Sequence, residues 1–191
     1  IYAGAFTLFK SVDSGATWTE ISDWVQNQSL PYVHADQHNI IFINSNKILF
    51  TNDGGVFLTT DGGSTFSHRN TGLNTTQFYS TAIHPTSEYI LGGTQDNGTW
   101  KLPNPGIQVG TEVTGGDGAY VHIDQTDPSY QFSSYVYNRV YRSTNGGNSF
   151  GLWYDLDDNG ANAGFFINPS VIDDTNKAFY AAWSTTQILR Q

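Results

Sequence analysis

Ser11-Val-Asp-Ser-Gly-Ala-Thr-Trp18 is an eight-residue pattern that returns twice in this chain of 191 residues. Thr59-Thr-Asp-Gly-Gly-Ser-Thr-Phe66 and Ser143-Thr-Asn-Gly-Gly-Asn-Ser-Phe150 both fit Ser/Thr-x-Asp/Asn-x-Gly-x-Ser/Thr-aromatic, and we call each of the three a box. A short polar side chain just ahead of a glycine can accept bonds from N–H groups of its own turn, and the glycine permits a left-handed backbone. Each box therefore predicts a turn between two strands. The residues that define the boxes are Ser11, Asp13, Gly15 and Trp18; Thr59, Asp61, Gly63 and Phe66; and Ser143, Asn145, Gly147 and Phe150.

The spacing of the boxes predicts a repeat. Asp13 and Asp61 are 48 positions apart, and Asp61 and Asn145 are 84 apart, which is two periods of 42. Periods of this length are typical of β-propellers built from four-stranded blades. The sequence therefore predicts an all-β fold of radial antiparallel sheets.

The boxes resemble the Asp-box, or BNR, repeat of sialidases, family-74 xyloglucanases and sortilin-type propellers. The stretches His34-Ala-Asp-Gln-His38, Thr51-Asn-Asp-Gly-Gly55 and Gly92-Gly-Thr-Gln-Asp-Asn-Gly98 resemble secreted bacterial BNR-like proteins. The resemblance covers nearly the whole chain and implies a propeller that is secreted or displayed on a bacterial cell surface. It implies little about activity, because such boxes are structural and occur in proteins of unrelated function.

Composition fits a turn-rich globular chain. Aromatic residues make up 15% and charged residues only 13%, with 20 glycines; this favours β structure over helix. The formal net charge is −9 and the eight Lys and Arg are scattered, so nucleic acid is not an expected partner. There is no cysteine for a disulfide or thiolate metal site, and no apolar run of membrane-spanning length.

We expect residues 1–191 to form one propeller segment of about four blades. The predicted blades cover approximately 1–26 (partial), 32–70, 78–110, 118–154 and 163–191 (partial). Four blades are few for a closed ring of this class. The sequence therefore predicts an arc of a larger propeller, whose remaining blades or another chain would cover the exposed edges.

Successive connections in an up-and-down blade alternate between two sides. The boxes join the third and fourth strands, so they share one side with the turns between strands one and two. The other side, which we call the open side, collects the turns between strands two and three and the loops between blades. The predicted ligand-binding residues on the open side are His34, Asp36, His38, Asp53, Asp96, Asp117, Tyr135 and Tyr137.

His34, Asp36 and His38 fall at the start of an expected inner strand. At a two-residue period they would project together, and two imidazoles with a carboxylate can hold a divalent metal or transfer protons. The alternative is that they are channel-facing polar residues that bond neighbouring loops.

Asp155-Leu-Asp-Asp-Asn-Gly160 matches the opening of an oxygen-rich calcium loop, with Asp155, Asp157 and Asn159 as candidate ligands for Ca²⁺. An EF-hand is excluded because its twelfth position is Phe166. The alternative is an ordinary Asp/Asn/Gly turn.

Two function classes stay open. Asp53 and Asp96 occupy equivalent blade positions and could be the acid and base of a glycoside hydrolase, although Asp before Gly or Asn-Gly is also common turn chemistry. Sialidases of the resembled family need an Arg-Ile-Pro segment and a Tyr/Glu pair; this chain has no such segment and only Glu20, Glu88 and Glu112. We therefore predict an extracellular module that binds carbohydrate or a protein surface without a catalytic constellation, with part of a xyloglucanase-like hydrolase as the alternative. The aromatic residues that could stack on sugar or wedge between blades are Trp24, Tyr79, Trp100, Tyr135, Tyr137, Trp153 and Trp183.

Overall fold

Short antiparallel strands make up the structure, a computed structural model that describes residues 1–26, 29–73, 75–104, 106, 109–155, 164–183 and 187–191. Within these ranges the chain forms five sheets and one turn of 3-10 helix at Val136–Asn138. The chain divides into two compact units, Ile1–Thr75 and Thr76–Gln191. Among the described residues, no helix has the length and hydropathy that crossing a bilayer requires.

The first unit contains two sheets, each with its strands paired in sequence order. The strands are β1 (Tyr2–Gly4), β2 (Leu8–Lys10) and β3 (Thr19–Glu20) in one sheet, and β4 (Gln37–Phe42), β5 (Ile48–Asn52), β6 (Gly55–Thr59) and β7 (Ser67–His68) in the other. Strand β5 alternates buried and half-buried residues, as a strand with one face against a core does. Its Ile48 and Phe50 join Leu8, Val33 and Phe57 in the core of this unit.

The second unit contains three sheets, again with neighbouring strands paired in order. The strands are β8 (Phe78–Ile83), β9 (Ile90–Thr94), β10 (Thr99–Leu102) and β11 (Thr111–Thr114); β12 (Val121–Ile123), β13 (Gln131–Ser134), β14 (Arg139–Ser143) and β15 (Gly151–Asp155); and β16 (Ser170–Asp173), β17 (Ala178–Ala182) and β18 (Ile188–Arg190). Two core clusters hold these sheets together, one around Leu91 and Val121 and one around Val140 and Phe179.

The three boxes form the same turn, between β2 and β3, β6 and β7, and β14 and β15. In each, the first hydroxyl accepts the N–H of the defining glycine, at 2.8 Å for Ser11 and 2.9 Å for Thr59 and Ser143. The same hydroxyl donates to the Asp or Asn two residues later, whose oxygen accepts an N–H four residues further on. The turns predicted from the boxes are confirmed.

A second repeated hydrogen-bond pattern occurs at the start of the turns between the first and second strands of the blades. The side chain of the first turn residue accepts the N–H groups two and three positions later. The residues in this role are Asn44, His84, Asp124 and Asp173. The His84 side chain therefore has a structural role, because its Nδ1 stabilises the turn by accepting the N–H groups of Thr86 and Ser87.

The predicted all-β fold class of short antiparallel sheets is confirmed, with three four-stranded sheets of the propeller-blade kind among the described residues. In the third sheet the fourth strand, β11, runs from Thr111 to Thr114. The limits of the blades themselves stay predictions.

Candidate functional site

An exposed aromatic pair lies at the open side of the first unit. Phe6 stands in the turn between β1 and β2, and Trp24 in the loop after β3; they are 50% and 49% exposed. Their ring centroids are 5.1 Å apart, with the planes at 74°. The carbonyl of Phe6 accepts the N–H of Asp36 at 3.1 Å. The pair therefore has a carboxylate-bearing residue directly beside it.

Asp36 in turn lies next to an imidazole-carboxylate pair. His38 Nε2 bonds to Asp53 Oδ1, and a carboxylate oxygen of Asp36 lies within 4.8 Å of one from Asp53. The turn that carries Asp53 is closed by Asn52, whose Oδ1 accepts the Gly54 N–H at 3.1 Å. The carboxylate of Asp53 thus contacts His38 and is not the acceptor for that N–H.

The predicted alternation of His34, Asp36 and His38 is wrong. Strand β4 begins at Gln37, and Asp36 has φ +61°, which interrupts a two-residue period. His38 lies at a bulge, because Gln37 pairs with Asn52 whereas Asn39 pairs with Thr51. His34 packs against Gly54, where an added Cβ would lie only 2.4 Å from the imidazole Cγ.

The second unit carries its own acidic and aromatic cluster at the open side. Asp117 Oδ1 accepts the Asp96 N–H at 3.1 Å. Burial raises the pKa of the Tyr79 phenol, and the charges of Asp117 and Asp96 raise it further. Burial and then Asp117 raise the pKa of Tyr135 in the same way. Both tyrosines therefore lie within the field of Asp117, and both stay neutral donors at physiological pH.

Glycines allow the loops of this cluster to approach closely. The Gly98 N–H donates to the Gly116 carbonyl at 2.6 Å, and the Gly118 N–H donates to the Thr94 carbonyl at 2.8 Å. Gly116 has φ +76°, and an added Cβ would lie 2.5 Å from the Tyr135 ring. Any side chain at Gly116 would therefore displace Tyr135 from Asp117.

The remaining predicted site residues have other contacts. Tyr137 has φ +54° and packs edge-to-face on Phe166, with ring centroids 5.7 Å apart. Asp155 accepts a bond from Arg139 Nε at 2.8 Å, so this candidate calcium ligand has a cationic partner. Asp157 and Asn159 lie outside the described residues, and the calcium site stays a prediction.

Of the residues predicted at the open side, the structure brings together two groups. Asp36, His38 and Asp53 lie together in the first unit, and Asp96, Asp117 and Tyr135 lie together in the second. Their role in ligand binding stays a prediction. Sequence reasoning missed Phe6, although an aromatic residue in a tight turn after Gly4 is a usable signal, because the turn gives such a ring little to pack against.

The sheets and box turns define an all-β protein assembled from propeller-type blades. No protein-family model matches the chain, and no curated protein matches it. Among solved structures it is similar to an ancestral GH74 enzyme, with 18% identity, a TM-score of 0.46, and coverage of 94% of this chain and 25% of that one. It is also similar to YCF48 bound to D1 peptide, with 10% identity, a TM-score of 0.44, and coverage of 96% of this chain and 71% of that one. The GH74 xyloglucanase from Xanthomonas campestris has 14% identity and a TM-score of 0.44, and the match covers 100% of this chain and 34% of that one. The chain thus spans a quarter of the length of the ancestral enzyme.

Proposed function

We propose that this chain is a propeller module that binds carbohydrate through the open side of its first unit. The observation that carries the proposal is the exposed Phe6–Trp24 pair beside Asp36. A sugar ring has an apolar face that packs on an aromatic ring, and hydroxyls around its edge that donate to carboxylates. An aromatic platform with carboxylates next to it offers both kinds of contact.

The electrostatics favour a neutral or cationic glycan. The chain has a formal charge of −9, and the residues around the platform include Asp36 and Asp53. Anionic polysaccharides would meet like charge at this surface. The second unit has the same chemistry in Asp96, Asp117 and the two tyrosines, so it is a further place for hydroxyl contacts.

We also propose that the chain belongs with the Asp-box proteins and works outside a bacterial cell. The hydrogen-bond pattern shared by the three boxes supports the first part. The location is inferred from the same resemblance. If no polysaccharide retards the protein in the test below, a protein surface replaces glycan as the proposed ligand.

Affinity electrophoresis through gels that contain xyloglucan, mixed-linkage glucan or a galactomannan tests the proposal. Trp24→Ala should weaken binding of the retarding polysaccharide by about fivefold, because one stacking contact is worth on the order of 1 kcal/mol. Phe6→Ala should weaken it to a similar degree. Trp18→Ala is the matched control, since Trp18 is 44% exposed and lies in the box turn at the other end of the same sheet.

Equal effects of Trp24→Ala and Trp18→Ala would contradict the proposal. So would retardation by no polysaccharide. Release of reducing ends that is lost in Asp53→Asn or Asp96→Asn would instead support the hydrolase, whose two candidate carboxylates are these residues.

A further inference from the structure

A box turn in the first unit is held by two side chains of the preceding sheet. Tyr2 Oη and Lys10 Nζ both donate to the carbonyl of Gly62, at 2.8 Å each. Gly62 is the fourth residue of the second box, and its N–H donates to the Asn46 carbonyl at 2.9 Å. The aromatic residue of this box, Phe66, packs on the core that contains Leu8. The preceding sheet therefore bonds the glycine carbonyl of this box, and the box aromatic ring packs on the core that the two sheets share.

The second unit repeats this arrangement. Tyr89 Oη and Lys101 Nζ donate to the carbonyl of Gly146, at 3.3 and 2.8 Å, and the Gly146 N–H donates to a turn carbonyl, that of Ser129, at 3.1 Å. Lys101 Nζ also lies 4.5 Å from the centre of the Tyr89 ring. The box aromatic Phe150 packs on the cluster that contains Tyr89. In both instances a tyrosine hydroxyl and a lysine ammonium donate to the glycine carbonyl of a box, and the box aromatic residue packs on an apolar cluster.

In sheet β12–β15 a third tyrosine and cation stand at the strand positions that Tyr89 and Lys101 occupy in the second instance, whereas in the first instance Tyr2 pairs directly with Lys10. Lys101 pairs with Leu91, and Tyr89 precedes Leu91 by two residues. Arg142 pairs with Phe132, and Tyr130 precedes Phe132 by two residues. Here Tyr130 and Arg142 border a cavity of about 360 Å³, which Trp153 and Phe179 also line. The Arg142 guanidinium lies 5.1 Å from the centre of the Trp153 ring.

We propose that this cavity is a docking site for a box turn supplied by another polypeptide segment. The glycine carbonyl of that turn accepts bonds from Tyr130 and Arg142, and its aromatic residue packs on Phe132 and Trp153. The first two instances specify the occupant: a Ser/Thr-x-Asp/Asn-Gly-Gly-x-Ser/Thr-aromatic turn between two short strands. The site lies in the second unit, at the end of its sheet that carries the box turn, and shares no residue with the proposed glycan surface in the first unit.

A cyclised peptide of Phe57–His68, which carries the second box between its two strands, is the probe. Titration into the ¹⁵N-labelled protein should shift the Trp153 indole N–H. Tyr130→Phe and Arg142→Ala should each weaken binding by about tenfold, since each removes one donor to the carbonyl. Tyr180→Phe is the control, because Tyr180 lies in β17 and bonds to Arg190.

Thermal unfolding of each variant shows whether it is folded before the titration is interpreted. A peptide in which the aromatic residue at position 66 is alanine should bind more weakly than the parent. The proposal is overturned if millimolar peptide leaves the Trp153 signal unmoved, or if Arg142→Ala and Tyr180→Phe bind it equally well. A shift of Trp153 by polysaccharide but not by the peptide would also overturn it.

Discussion

The folded protein is expected to lose about 2–3 kcal/mol of stability between pH 6.5 and pH 4 through one half-buried histidine. His122 lies in β12, where its Nε2 is 2.8 Å from Ser170 Oγ and its ring packs edge-to-face on Phe179. Burial lowers the pKa of His122 from 6.5 to about 4. Its imidazole therefore stays neutral in the folded chain under mildly acidic conditions.

Stability falls with pH because the folded and unfolded chains bind a proton at His122 in different pH ranges. Below pH 6.5 the unfolded chain takes up a proton at His122, whereas the folded chain does so only near pH 4. The contribution of the neutral imidazole is therefore complete above pH 6.5 and declines as the pH falls towards 4. Urea unfolding at pH 7 and pH 4.5 measures the difference.

Replacement of the histidine provides the control for this prediction. His122→Gln should not lose stability between pH 6.5 and pH 4, because glutamine does not titrate and Glu112, whose pKa burial raises, favours the folded state as the pH falls. His68→Gln, at an exposed position in β7, should keep the slope of the parent protein. A parent protein that is equally stable at pH 7 and pH 4.5 would contradict the assignment.

Asp124 acts in a lower pH range, so the two effects are separable. Burial raises the pKa of its carboxyl, but the bond from Lys177 at 2.6 Å and the N–H groups of Asp127 and Thr126 outweigh burial and hold it at about 2. This depressed pKa stabilises the fold above pH 4, and the contribution is lost as the pH falls towards 2. Acid unfolding below pH 4 therefore reports on carboxylates with lowered pKa values, whereas above pH 4 His122 acts together with Glu112, whose pKa burial raises.

Short-range patterns were predictable from the sequence, and contacts between distant residues were not. The box turns could be predicted because every bond in them joins residues at most four positions apart. The Phe6–Trp24 pair depends on how the loop after β3 folds back on the turn between β1 and β2, and no local pattern encodes that. The bonds from Tyr2 and Lys10 to Gly62 span 60 and 52 positions and follow only from the packing of one sheet on the next.

The predicted two-residue alternation of His34, Asp36 and His38 failed for a local reason. A two-residue period holds only where the backbone is extended throughout, and Asp36 has a left-handed backbone just before β4. Aspartate tolerates that conformation better than most residues. The same residue type that suggested a metal ligand was therefore also a signal for a break in the strand.

A methyl group at Gly93 is expected to destabilise the second unit by about 2–3 kcal/mol. Gly93 lies in β9, and its Cβ would be 2.0 Å from the backbone carbonyl oxygen of Ala119. That carbonyl belongs to a segment fixed on both sides, since the Gly118 N–H donates to Thr94 and the Ala119 N–H donates to Ser134, each at 2.8 Å. Relief of the clash therefore requires the loop between β11 and β12 to move and at least one of these bonds to lengthen.

Three glycines in strands give a graded test of this explanation. Gly151→Ala should change stability by less than about 0.5 kcal/mol, because no heavy atom lies within 4 Å of its Cβ position. Gly92→Ala should be intermediate, since its Cβ meets the ring of Phe78, which is 44% exposed and has room to turn away. Gly93→Ala should be the most destabilised in urea, because a backbone carbonyl held by neighbouring hydrogen bonds does not turn away as a ring does. Equal stability of Gly93→Ala and Gly151→Ala would show that the β11–β12 loop yields freely, and the position of Asp117 beside Tyr79 and Tyr135 would then not be fixed by this strand.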